Sequence, residues 1–138
     1  MATVDLTKGL PGVPFGGINK VYRVSNRLDF SKVNALAGDV FRALDIKANT
    51  KVYGVYVKIV TPEGSAVTAS VGDETDADGW DTSVNLNASA GTFTQTITTD
   101  GYGADGKIYT ADDTINLTVG ADIDTCIIDV YAKCLDLN

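Results

Sequence analysis

The chain of 138 residues contains no histidine. That absence removes the commonest general base and metal ligand, and every Ser-His or Cys-His arrangement for nucleophilic catalysis. There are only two cysteines, and they do not form a C-x-x-C pair, which argues against a redox or zinc centre. No apolar run approaches the roughly 20 residues a membrane helix needs. The first residues, MATVDLTKGLPGVPFGG, lack a basic stretch followed by an apolar one, so no signal peptide is predicted and the product is expected to stay in the cytoplasm where it is made. No G-x-S-x-G elbow is present, and no fixed-period repeat. The paired carboxylates of a glycosidase are the one familiar arrangement left, but most acidic residues fall in glycine-rich loops where water solvates them. The expectation is a non-enzymatic protein with no cofactor.

What is present suits a single domain. The apolar fraction of 44% is enough to build a core at this length and gives no compositional case for disorder. A net charge of −7 opposes general binding to nucleic acid. The charge is uneven: residues 1–60 carry +5 and the rest −12. Two readings stand side by side. Solvated charges drift along a sequence by chance, or a basic face docks on an acidic partner, with Arg23, Arg27 and Arg42 as its candidates.

Residues 1–19 hold Gly9, Pro11, Gly12, Pro14, Gly16 and Gly17, a composition that predicts an extended arm. Its apolar residues Leu10, Val13 and Phe15 would either lie across a neighbouring subunit or fold back over the chain's own sheet.

From residue 20 to 138 period-2 alternation dominates and predicts one β-sandwich domain. VYRVSNRLDF (21–30) sets Tyr22, Val24, Leu28 and Phe30 on one face and Arg23 and Arg27 on the other. VFRALDI (40–46) follows. KVYGVYVKIV (51–60) is the strongest strand signal, with Tyr53, Val55, Val57 and Ile59 facing one way and Val52, Tyr56 and Val60 the other. Apolar on both faces, it is predicted to be central or to lie at a subunit contact. Further strands are predicted at 66–71, 83–87, 92–98, 107–110, 114–119 and 126–135. Short strands separated by turn residues indicate an antiparallel sandwich. Only Lys32–Ala37 is compatible with a helix. Cys126 and Cys134 share one predicted strand, roughly 26 Å apart at the usual rise per residue, too far for a disulfide. Both are expected to be free, buried thiols on the face of Ile128, Val130 and Ala132.

Two loops invite a chemical reading. GYGADGKI (101–108) matches a phosphate-binding G-x-x-x-x-G-K, but Ile108 stands where magnesium needs Ser or Thr, and strands rather than a helix follow. Glu74, Asp76, Asp78 and Gly79 fit the early positions of a calcium loop, yet Asn85 replaces the closing bidentate Glu. In the second loop Asp105, Gly106, Ile108 and Asp112 are in register, while Gly101 and Gly103 occupy early ligand positions and Asp100 is one residue out. Calcium at Asp76/Asp78 or Asp105/Asp112 is therefore the alternative to no metal, and Asp-Gly hairpin turns are the simpler account. Two sequons, at Asn87 and Asn116, are coincidental without a secretory signal. Exposed Trp80, Tyr102 and Tyr109 would suit a carbohydrate-binding module; alternatively Trp80 plugs one end of the sandwich.

The stretch AVTASVGDETDADGWDTSVNLNASAGTF resembles small structural proteins of tailed phages, in which a valine-glycine-aspartate … aspartate-glycine-aromatic segment lies between two strands. YTADDTINLTV and the closing IIDVYAKCLDL are similar to the same group. The likeness spans roughly residues 36–138. It implies a jelly-roll-like β-sandwich of about eight strands that decorates or cements the capsid exterior. It further implies the major capsid protein as partner and a homo-oligomer, a trimer rather than a dimer. A tail or fibre-base protein would share the same composition.

Overall fold

In the computed structural model, residues 20–96 and 101–138 are described. Leu10, Val13 and Phe15 of the expected arm lie outside them. Among the described residues nine strands form where the alternating segments were read: β1 (Val21–Asp29), β2 (Val40–Ile46), β3 (Thr50–Thr61), β4 (Thr68–Gly72), β5 (Asp81–Asn85), β6 (Phe93–Gln95), β7 (Lys107–Tyr109), β8 (Asp113–Val119) and β9 (Ile127–Asp136). All pair antiparallel.

The pairing is that of one long hairpin bent at β4–β5. Its legs match β1 with β9, β2 with β8, β3 with β6 and β7, and β4 with β5. Rolling the hairpin up adds β3–β9 and β4–β8. The result is two sheets, ordered β1-β9-β3-β6 and β2-β8-β4-β5, with β7 also on β3. This is a jelly roll. The expected eight strands become nine because β6 and β7 share one place in the roll, against Tyr56–Lys58 and Thr50–Val52 of β3 respectively.

The core lies between the sheets. Val52, Val55, Val57 and Ile59 of β3 and Ile128, Val130, Ala132 and Cys134 of β9 face Leu44 and Ile46 of β2, Ala69 and Val71 of β4, and Ile115, Leu117 and Val119 of β8. Cys126 and Cys134 are both free and buried, on the face expected.

Two expectations are corrected. The β3 faces do not follow strict alternation. The ladder to β9 shifts register between Val52 and Gly54, so Val52 joins Val55, Val57 and Ile59 inside while Tyr53 turns outward. A bulge of one residue flips every side chain beyond it. The possible helix at 32–37 is only a 3-10 turn over Phe30–Lys32, its first turn capped by the Asp29 carboxylate, which accepts from Ser31 N at 3.0 Å. Beyond it Ala35 bridges Ile123 in both directions, N–H to carbonyl at 3.4 Å and carbonyl to N–H at 2.9 Å. Those long-range bonds engage the backbone groups that a helix would have used.

Candidate functional site

Three places concentrate polar or aromatic side chains. The first is one end of the sandwich, where Val71-Gly72-Asp73 closes β4 and Asp78-Gly79-Trp80 leads into β5. The Asp73 carboxylate is buried and fully engaged. Its Oδ1 accepts from Thr75 N at 3.0 Å and Asp76 N at 2.9 Å; its Oδ2 accepts from Lys107 Nζ at 2.6 Å and Tyr109 Oη at 2.9 Å. Trp80 Nε1 donates to Tyr109 Oη at 3.1 Å, and Lys107 Nζ also donates to Tyr102 Oη at 3.0 Å. Burial alone would raise the Asp73 pKa, but the Lys107 ammonium, the Asp76 N–H and the Tyr109 hydroxyl more than offset it and hold the carboxyl below its ordinary range. Burial likewise works against the Lys107 charge, and the hydrogen bond to Asp73 outweighs it, so the ammonium holds its proton more firmly than usual. Burial pushes the Tyr109 phenol well above its ordinary value.

A carboxylate with every near lone pair occupied, a locked ammonium and a phenol that does not ionise have no free base or nucleophile among them. The cluster fastens two loops together. The glycines say the same. A Cβ at Gly72 would lie 2.0 Å from the Asp76 carbonyl oxygen, and one at Gly79 2.2 Å from Cε2 of Tyr102. The glycine-aspartate and aspartate-glycine-aromatic positions are thus explained by packing. Lys107, the lysine of the phosphate-loop pattern, is engaged by Asp73. Trp80 and Tyr109 are buried at 1% and 2% exposure. Trp80 plugs the end of the sandwich, and no aromatic sugar platform forms from these residues.

The acidic loops are the second place. Asp76 and Asp78 are neighbours: Asp78 N donates to Asp76 Oδ1 at 3.3 Å, and the hydrogen bond and charge of Asp76 hold the Asp78 carboxyl above its ordinary range. Asp105 is exposed, and Asp112 Oδ1 accepts from Ala48 N at 2.8 Å. Among the described residues no three carboxylates or thiols converge on a point that could hold a metal ion.

The third place is the outer face of the β1-β9-β3-β6 sheet. Tyr56 of β3, Phe93 of β6 and Tyr131 of β9 meet there. Tyr56 and Phe93 stack with centroids 5.4 Å apart, Phe93 and Tyr131 lie 5.9 Å apart, and the Arg23 guanidinium covers Tyr131 at 5.3 Å. Together with Val21, Lys58 and Lys133 they line a depression of about 650 Å³.

The structure brings Arg23 and Arg27 to this face and leaves Arg42 on the other sheet, where its Nε lies 2.9 Å from Glu74 Oε1. Arg27 is held by Asp129 through two bonds of 2.8 and 3.1 Å. The three arginines therefore do not make one surface.

Sequence reasoning missed Lys58 and Lys133 on this face, and the buried Glu63. Glu63 accepts from the backbone N–H of Asp124, Thr125 and Cys126 at 2.9, 3.0 and 2.7 Å, pinning the loop before β9. Its only signal was a carboxylate inside a turn, Thr61–Ser65, which reads as solvated.

No protein-family model matches the chain, and no curated protein sequence does. Solved structures share its fold. A chain in the acidic stable capsid structure of Helicobacter pylori bacteriophage KHP30 is 12% identical, with a TM-score of 0.65 over 88% of this chain and 92% of that one. A chain of the cyanophage Pam1 capsid asymmetric unit is 14% identical, with a TM-score of 0.67 over 98% of both chains. A chain in the capsid of Ralstonia phage GP4 is 10% identical, with a TM-score of 0.64 over 94% of both. The class defined is a jelly roll of the kind found within these phage capsids. At such identities the likeness is one of fold.

Proposed function

We propose that the protein is a non-enzymatic structural component of a phage virion that binds the capsid exterior and bridges neighbouring capsid subunits. The observation that carries this is the match along nearly the full length of chains found within three phage capsids, between 92% and 98% of each. Those chains are therefore about as short as this one, as an accessory subunit would be. Side-chain chemistry supports the same role. Both thiols are buried, their pKa values pushed up to about 12 for Cys126 and about 11 for Cys134. The buried Asp73 cluster fastens distant segments together.

The partner in this proposal is the major capsid protein, with a homo-oligomer, a trimer before a dimer, on the shell. Bridging acts by mass action: a protein that binds only the assembled state stabilises that state. The test is co-sedimentation of the purified protein with shells assembled in its absence, followed by heating of bare and decorated shells. Binding together with a higher dissociation temperature is expected. Failure to bind, or recovery of the protein in tail fractions of the virion, would move it from the head to a tail or fibre-base role.

A further inference from the structure

The depression on the outer face of the β1-β9-β3-β6 sheet is not required by the jelly roll. Phe93 is 57% exposed and Val21, at its margin, 59%. Among the described residues three cations (Arg23, Lys58 and Lys133) line it and no carboxylate does. The nearby carboxylate of Asp129 is paired with Arg27 and also accepts from the Tyr131 hydroxyl at 3.4 Å. A chain of net charge −7 thus presents one aromatic face rimmed with positive charge. Aromatic residues with arginine, grouped around a desolvated centre, are the composition of an interface core.

We infer that this face is the shell contact, and that its occupant is an acidic segment of a capsid subunit carrying an apolar or aromatic side chain. The inference rests on the proposed capsid role. Charge complementarity selects the occupant: acidic groups would pair with Arg23, Lys58 and Lys133 while the apolar side chain fills the space between Tyr56, Phe93 and Tyr131. A two-fold contact of this face with the same face of a second copy is disfavoured, because it sets cations against cations.

The test uses the full chain and two variants, Tyr56→Ala/Phe93→Ala and Arg23→Glu/Lys133→Glu. Each is mixed with shells assembled without the protein, at low and at high salt. The charge variant alters exposed ends only and keeps the fold; melting curves of both variants check this. Wild type binds. The aromatic variant is expected to bind about tenfold more weakly or worse at both salt concentrations. The charge variant is expected to lose binding mainly at low salt, where screening is weak. Variants that bind like wild type would overturn the inference and leave the capsid role standing. Wild type that does not bind would overturn both. Sedimentation velocity of the free proteins distinguishes the remaining occupant: if the variants break up an oligomer of the free chain, the face joins copies of this protein and the inference is wrong.

Discussion

Lys107 reaches from β7 to set its ammonium 2.6 Å from Oδ2 of Asp73, a carboxylate with no exposed side-chain surface, at the end of β4. The pair ties the end of β4 to the start of β7, 34 residues apart in the chain.

Removing Asp73 leaves a mostly buried cation and two backbone N–H groups without their acceptor. Asp73→Ala is expected to cost about 3–5 kcal/mol, the usual scale for breaking a buried pair from one side. Lys107→Met should cost clearly less, because Asp73 keeps the N–H groups of Thr75 and Asp76 and the Tyr109 hydroxyl. Urea unfolding of both variants gives the order. Equal losses would mean that the cation, not the carboxylate, is the centre of the cluster.

Acid should weaken the fold through its buried carboxylates. Burial raises the Glu63 pKa, and the N–H donors of Asp124, Cys126 and Thr125 more than reverse that, leaving it below its ordinary value. A carboxyl with a folded pKa below its unfolded one stabilises the fold above the unfolded pKa, and that stability disappears as pH falls through the folded pKa. Since an unperturbed glutamate titrates near 4.3, stability is expected to hold to about pH 5 and then decline. Asp73 acts in the same direction. Glu63→Gln should start lower at pH 7 and decline less steeply. Matching slopes for the two proteins would assign the acid sensitivity to other groups.

Gly72 and Gly79 should fail for different reasons. A methyl group at Gly79 meets the Tyr102 ring, whereas one at Gly72 meets backbone. Each alanine substitution should cost about 1–3 kcal/mol or more by overpacking. In a Tyr102→Ala background the Gly79→Ala cost should largely vanish, and the Gly72→Ala cost should persist. A double-mutant cycle reads the difference directly.

At pH 8 the folded protein should be inert to a maleimide, since both thiols are buried and burial pushes them up to about 12 for Cys126 and about 11 for Cys134. Once unfolded, both should react without prior reduction. Labelling of the folded protein at the unfolded rate would place a cysteine at the surface.

Calorimetric titration with calcium at neutral pH is expected to show no sub-micromolar site. Asp76 and Asp78 lean on one another, and an oxygen of Asp112 is held by Ala48 N. A stoichiometric heat abolished by Asp76→Ala or Asp105→Ala would make calcium part of the mechanism.

The sequence by itself determined where the strands lie, which way most of their side chains point, and that Cys126 and Cys134 are free and buried. Those properties are local: a pleated strand has period 2 whatever it pairs with. Tertiary structure decided the rest. Alternation does not name a strand's partner, so neither the roll order nor the bulge that carries Val52 inside can be read from the pattern of β3 alone. Nor does it distinguish a solvated carboxylate from a buried one. Asp73 and Glu63 became core residues only when Lys107, Tyr109 and the N–H groups of residues 124–126 arrived from distant parts of the chain. The sheet order likewise separated Arg42 from Arg23, and it gathered Tyr56, Phe93 and Tyr131, one from each of three strands, on a single outer face. Proximity between residues far apart in sequence depends on strand pairing, and pairing is settled by the burial of the whole core.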